Sequence, residues 1–275
     1  MAAEEIIDPT LPICDPHHHY WHHDTNPYLL EQLHADTGSG HNVVSTVFVD
    51  CEAEYRTEGP LHLRPVGETE FIVEAAERSE RSDGATIAGI VSFADLAMGE
   101  SVGEVLEAHV EAGRGRFRGI RHATTHDADP AIHNGHTNPP EGLMSDPSFR
   151  RGFATLGRMG LSFDAWTYAP QLGEVVDLVQ AHPETTVIID HLGGPLAIGR
   201  YKGRRSEVLE MTRAPIEALA GHPQVYMKLG GIGMSLYGDG WNKMAHRPSS
   251  DQVVERWGDH INWIIQQFGP ERCMF

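Results

Sequence analysis

Basic residues and cysteine are scarce in this chain, and long apolar runs are missing altogether. Only 21 Lys and Arg stand against 39 Asp and Glu, a formal charge of −18 with His neutral. That excess of acid repels phosphate backbones and argues against nucleic acid as a partner. No stretch approaches the roughly 18–20 apolar residues of a membrane helix, so no membrane partner is expected. The opening Met1-Ala2-Ala3-Glu4-Glu5 carries acid where a secretory leader carries base. The three cysteines, Cys14, Cys51 and Cys273, stand far apart with no C-x-x-C pair. They form neither a disulfide framework nor a zinc knuckle, and a reducing cytoplasm is the expected location. Also missing are a solenoid repeat and a flexible linker. Neither a G-x-G-x-x-G after the first strands nor a G-x-S-x-G elbow is present, which removes a dinucleotide fold and serine hydrolysis.

What is present is alternation. Short apolar runs at 11–14, 43–50, 86–93, 117–122, 161–166, 186–190, 225–229 and 272–275 read as strands. Between them lie amphipathic segments: one containing 71–76, then 102–112, 149–159, 172–181, 208–220 and 253–268. Val187-Ile188-Ile189 is apolar without alternation, as in a strand covered on both faces. Eight candidate strands with helices between them in 275 residues predict an α/β fold, the (β/α)8 TIM barrel, whose members average about 250 residues. One domain is expected over 1–275. The eighth run ends the chain, so the barrel is expected to be truncated at strand 8, its remainder and the last helix missing. Long loops are expected at 123–146 and 234–249, and long loops on one barrel face build active sites.

Asp15-Pro16-His17-His18-His19 closes the first strand. Residues two apart on a strand point the same way, so His17 and His19 can converge while His18 points elsewhere. Two neutral imidazoles on one side make a metal half-site; the competing reading is a solvated His-rich segment continuing through His22 and His23. At the end of the sixth run, Asp190-His191-Leu192-Gly193-Gly194-Pro195 puts a second His at a strand terminus before a tight turn. Its plain alternative is a core His satisfied by a carbonyl, with Asp190 capping the turn. Arg121, ending the fourth run, has the planar fork to grip a carboxylate or hydroxyl, or to form a structural ion pair. Asp164, Trp166 and Tyr168 alternate along the fifth run and would share one face as substrate-binding residues, with core packing the rival for Trp166. Lys228, inside the seventh run, offers either a Schiff-base nucleophile or a partner for an acid on a neighbouring strand. Cys14 and Cys273 are expected to be buried and inert.

The Asp15-x-His17-x-His19 pattern, Phe117-Arg118-Gly119-Ile120-Arg121-His122 and Asp190-His191-Leu192-Gly193-Gly194-Pro195 together resemble the amidohydrolase superfamily. Within it they are similar to the amidohydrolase-2 branch, TIM-barrel hydrolases that include sugar-acid lactonases and 2-pyrone-4,6-dicarboxylate lactonase. Tyr226 to Gly231 and Phe268 to Phe275 extend the likeness over nearly the whole chain. The resemblance implies that His17, His19 and His191 are catalytic and line a metal or water site. It also implies a general-base Asp at the end of strand 8, past a position like Phe275; a barrel ending here would be crippled. Where binuclear members carry a carboxylated Lys on the fourth strand, this chain has Arg121 and His122, so at most one divalent metal is implied. Zinc is the expected ion, with a metal-free mechanism as the alternative.

The expected activity is hydrolysis of a small lactone or related carboxylic ester or amide. The partner is then a small, anionic or hydroxylated substrate, and a homo-oligomer is compatible with the sequence. Three other readings stand beside it: a non-oxidative decarboxylase of the same superfamily, a Schiff-base lyase through Lys228, and a non-catalytic incomplete barrel.

Overall fold

The computed structural model describes residues 4–22 and 26–275. His23 and the first three residues, used above in the His-rich and leader arguments, lie outside them. The chain has the (β/α)8 barrel fold, its eight strands ordered as in the sequence. It divides into two compact units, 1–121 and 122–275.

The first unit carries β1 (Ile13–His18), α1 (Leu30–Thr37), β2 (Val43–Val49), α2 (Val66–Ser79), β3 (Thr86–Ser92), α3 (Val102–Ala112) and β4 (Phe117–Arg121). The strands pair in parallel, β1 on β2, β2 on β3 and β3 on β4. The β1 register slips between Asp15 and His18. Pro16 lies in that gap, without the N–H that a regular ladder would use. β1 therefore continues past Cys14, where the apolar run stops, and carries His17 and His18 within the strand, with His19 directly after it. The core gathers Phe48, Ile87 and Ile90 from the sheet under Ile72, Val73 and Ala76 of α2. α3 buries Val102, Val105, Leu106 and His109, the three- and four-residue spacing of one helical face.

The second unit holds α4 (Pro147–Arg158), β5 (Ser162–Ala165), α5 (Leu172–Ala181), β6 (Val187–Ile189), α6 (Arg205–Ala220), β7 (Val225–Lys228), α7 (Ser250–Phe268) and β8 (Cys273–Met274). Local chemistry sets the ends of these helices. Asp146 caps α4 by accepting from Ser148 and Phe149 N–H, with Pro147 in the first turn where no donor is needed. Ser249 and Gln252 form a reciprocal capping box on α7. In register, Asp164 faces Ile188 and Ile188 faces Tyr226. Alternation then places Asp164, Asp190 and Lys228 on one face of the sheet. Among the described residues no helix is long and apolar enough to cross a membrane. Cys14 is exposed rather than buried, and Cys273 is half-buried.

Candidate active site

In the first unit, the alternation of β1 turns His17 and His19 to one side and His18 to the other. His18 is buried against Phe48 and Tyr20, and burial pushes its pKa down to about 3, so it is a neutral core ring. His17 and His19 instead bring their Nε2 atoms to 3.1 Å. The Nδ1 of His19 lies 2.7 Å from the Val49 carbonyl oxygen. A carbonyl only accepts, so this nitrogen carries the proton and Nε2 presents its lone pair. Burial first, then Arg121 and His17, hold the His19 pKa well below its ordinary value, so the ring is neutral. Arg121, at the end of β4, approaches the same pair: Nη1 stands 3.4 Å from His17 Nε2, and Nη2 donates to the Asp50 carbonyl. His22, further along, sits beside Glu54 at 3.3 Å.

In the second unit, His191 follows β6 on an unusual turn. His191, Leu192, Gly193 and Gly194 have successive φ values of 52°, 60°, 72° and 65°, all left-handed. Two of these residues carry a Cβ, a strained arrangement that the surroundings must enforce. The Tyr237 hydroxyl donates to the His191 carbonyl at 2.5 Å. Trp166 meets the His191 ring edge-on, with centroids 5.1 Å apart. Gly231 completes the seat: a Cβ there would come within 2.4 Å of His191 Nδ1.

Behind this turn lies a buried charge cluster. Lys228 Nζ is 2.5 Å from Asp164 and 3.1 Å from Asp190. Desolvation alone would lower the lysine pKa, but Asp164 and then Asp190 outweigh it and the net shift is upward. The group is an ammonium, the reverse of what a Schiff-base amine needs. Asp190, the residue expected to cap the turn, makes no such cap and faces the lysine instead.

A family model described as amidohydrolase matches residues 14–275. The chain belongs to the amidohydrolase family. It is 27% identical over 283 residues to the uncharacterized protein y4mH of Sinorhizobium fredii, covering 96% of this chain and 84% of that one. Among solved structures it is similar to an amidohydrolase of Burkholderia multivorans with bound HEPES, at 24% identity and a TM-score of 0.69, over 95% of this chain and 82% of that one. A second crystal form of that amidohydrolase holds zinc. A candidate 2-pyrone-4,6-dicarboxylic acid hydrolase of Pseudomonas putida shares the fold at 15% identity and a TM-score of 0.56, over 95% and 80% of the two chains.

Within this amidohydrolase, the residues singled out from sequence fall into two kinds. His17, His19 and Arg121 form one group in the first unit, and His191 and Trp166 touch in the second. Asp164 and Tyr168 are committed elsewhere. Asp164 is 1% exposed and held by Lys228, and the Tyr168 hydroxyl donates to the His133 carbonyl. β5 ends at Ala165, so Trp166 and Tyr168 lie beyond it, their rings still 5.9 Å apart. Sequence reasoning did not single out Gly231 or Tyr237 for a role at this site. Their function is to seat His191, and the Gly230-Gly231 pair after β7 was the one visible sign of a close approach.

Proposed function

We propose that this amidohydrolase opens a small lactone or a related carboxylic ester or amide by water attack. His17, His19 and His191 would hold one divalent ion, with zinc preferred. In a (β/α)8 barrel the C-terminal strand ends share the catalytic face, and all three residues stand at such ends. The observation that carries the reading is the His17–His19 pair. Two imidazole nitrogens on a tetrahedral zinc lie roughly 3.3 Å apart, and the separation here is 3.1 Å. His19 also has the tautomer that a ligand requires, its far nitrogen bound to a carbonyl as metal-ligating histidines commonly are. Bound there, a zinc-type ion supplies Lewis acidity toward a carbonyl oxygen and toward water.

The chain's own groups do the rest. Arg121 keeps one arm of its guanidinium on the Asp50 carbonyl and turns the other toward the histidines, where it meets a substrate carboxylate or hydroxyl. Trp166 supplies an apolar wall beside His191. The Tyr168 ring stands 5.9 Å from that of Trp166 with its hydroxyl on the loop carbonyl of His133, and Asp164 is held by Lys228. In an ion-free route, the guanidinium of Arg121 would polarise the carbonyl by hydrogen bonding.

Metal analysis of the full chain with a panel of sugar-acid and pyrone lactones tests this reading. The expected result is close to one zinc per chain and opening of at least one lactone. His19→Ala should lose both zinc and turnover while keeping its far-ultraviolet dichroism. Carbon dioxide release from an aromatic or unsaturated acid, with every lactone untouched, would replace hydrolysis by decarboxylation. Full turnover after chelation would remove the ion from the mechanism, and unchanged hydrolysis in both His17→Ala and His191→Ala would remove the histidines.

A further inference from the structure

A buried carboxyl pair stands behind the two site groups of the first unit. Asp50 directly follows β2, and Glu68 is the third residue of α2; each is 0% exposed. Glu68 Oε1 accepts from the backbone N–H groups of Cys51 at 3.1 Å and Ala53 at 2.7 Å. Those donors flank Glu52, whose φ of 62° is left-handed, so the backbone curls around the carboxyl as a small nest. Asp50 is tied down on two sides. Its Oδ1 accepts from the Tyr55 hydroxyl at 2.7 Å, and its N–H donates to the Val91 carbonyl at 2.8 Å. Burial, and then the neighbouring Asp50, raise the Glu68 pKa well above the ordinary carboxylate value.

The backbone held this way is the one that orients the site. The Val49 carbonyl accepts from His19 Nδ1, and the next carbonyl along, that of Asp50, accepts from Arg121 Nη2. The Cys51 N–H held by Glu68 belongs to the same peptide unit as the Asp50 carbonyl, and the Val49 carbonyl lies one peptide before it.

We infer that Glu68 is a positioning residue: by clamping the N–H groups of Cys51 and Ala53 against Asp50, it fixes the carbonyls that set the His19 tautomer and aim Arg121. The consequence for zinc rests on the function proposed above, whereas the tautomer does not.

Glu68→Gln and Glu68→Ala in the full chain test the inference by nitrogen-15 spectra of histidine, zinc affinity in competition with a chelator, and melting temperature. The His19 signal is assigned by its loss in His19→Asn. Glutamine keeps an acceptor for the two N–H groups, so wild-type tautomer and zinc affinity within about threefold are expected. Alanine should release His19 to a mixture of tautomers and weaken zinc at least tenfold, the size of effect known for groups that orient metal ligands. Should the alanine variant fail to fold, Glu68→Met fills the same space without an acceptor and is expected to show the same loss. Wild-type His19 spectra in the folded Ala or Met variant would overturn the inference, as would a Gln variant as damaged as Ala. A wild-type chain that binds no zinc overturns the metal reading alone, since the tautomer spectra still decide the role of Glu68.

Discussion

Lys228 shows how one side chain changes meaning with its neighbours. A lysine inside a barrel strand is chemically open, a nucleophile if desolvated and uncharged, an ion-pair partner if acids surround it. Here two acids lie within 3.1 Å and the lysine is 3% exposed, so the charge stays. Lys228→Met would leave Asp164 and Asp190 buried without their cation, a loss of about 3–5 kcal/mol. Denaturant unfolding of the variant at neutral pH measures it. The linkage has a definite sign. The folded pKa of Lys228 lies above the value of 10.5 assigned to the free group, so its contribution is complete below that pH. It disappears as pH rises through the folded value, and the Lys228→Met variant should lack this part of the alkaline arm of the wild-type stability curve. Asp164 and Lys228 could each be marked in the sequence as chemically capable. Their mutual pairing could not, because it depends on strand register across three strands.

At the scale of an element, the turn after β6 is the informative case. Its Gly-Gly-Pro ending reads directly as a turn, and the structure adds that His191 and Leu192 share the left-handed backbone of the glycines. Such a conformation persists only where contacts enforce it, and here Tyr237 and Gly231 do so. Gly231 has a φ of 80° and leaves no room for a methyl group against the His191 ring. Gly231→Ala is therefore expected to destabilise the protein by about 1–2 kcal/mol through backbone strain alone. It should also lower turnover at least tenfold by displacing His191. Thermal melts paired with the lactone assay check both, and a variant with wild-type turnover would show that the His191 seat tolerates movement. β1 teaches a related lesson. Its apolar run ends at Cys14, yet pairing continues to His18 across the Pro16 irregularity. Hydrophobicity marks where a strand is buried, not where its hydrogen bonds stop. α1 was invisible for a similar reason: eight residues with only Leu30, Leu33 and Thr37 buried offer too short a period to read.

For the molecule as a whole, buried neutral histidines set the acid limit. His18 is pushed down to about 3, and His109 and His260 to about 4, in each case first by burial. Their unfolded value is 6.5, so below that pH the unfolded chain binds more protons than the folded one and stability falls. Each such site contributes about 1.4 kcal/mol per pH unit across its window. The three together should impose a loss approaching about 4 kcal/mol per unit between roughly pH 6 and 4. Urea titrations at about pH 7, 6 and 5 measure this directly, and a flat midpoint over that range would show that these rings charge freely in the fold. The sequence by itself determined the succession of eight strands and the helices α2 to α7, because apolar periodicity records which faces are covered. It also determined the family and the chemically capable residues, since His17, His19 and His191 stand at strand ends in a recognisable pattern. Only the tertiary structure decided which capable groups are already engaged, with Asp164 on Lys228 and Tyr168 on a loop carbonyl. Only there, too, does Glu68 come to stand behind His19 and Arg121. Those decisions rest on distances between residues far apart in the chain, and a one-dimensional pattern of polarity carries no record of such distances.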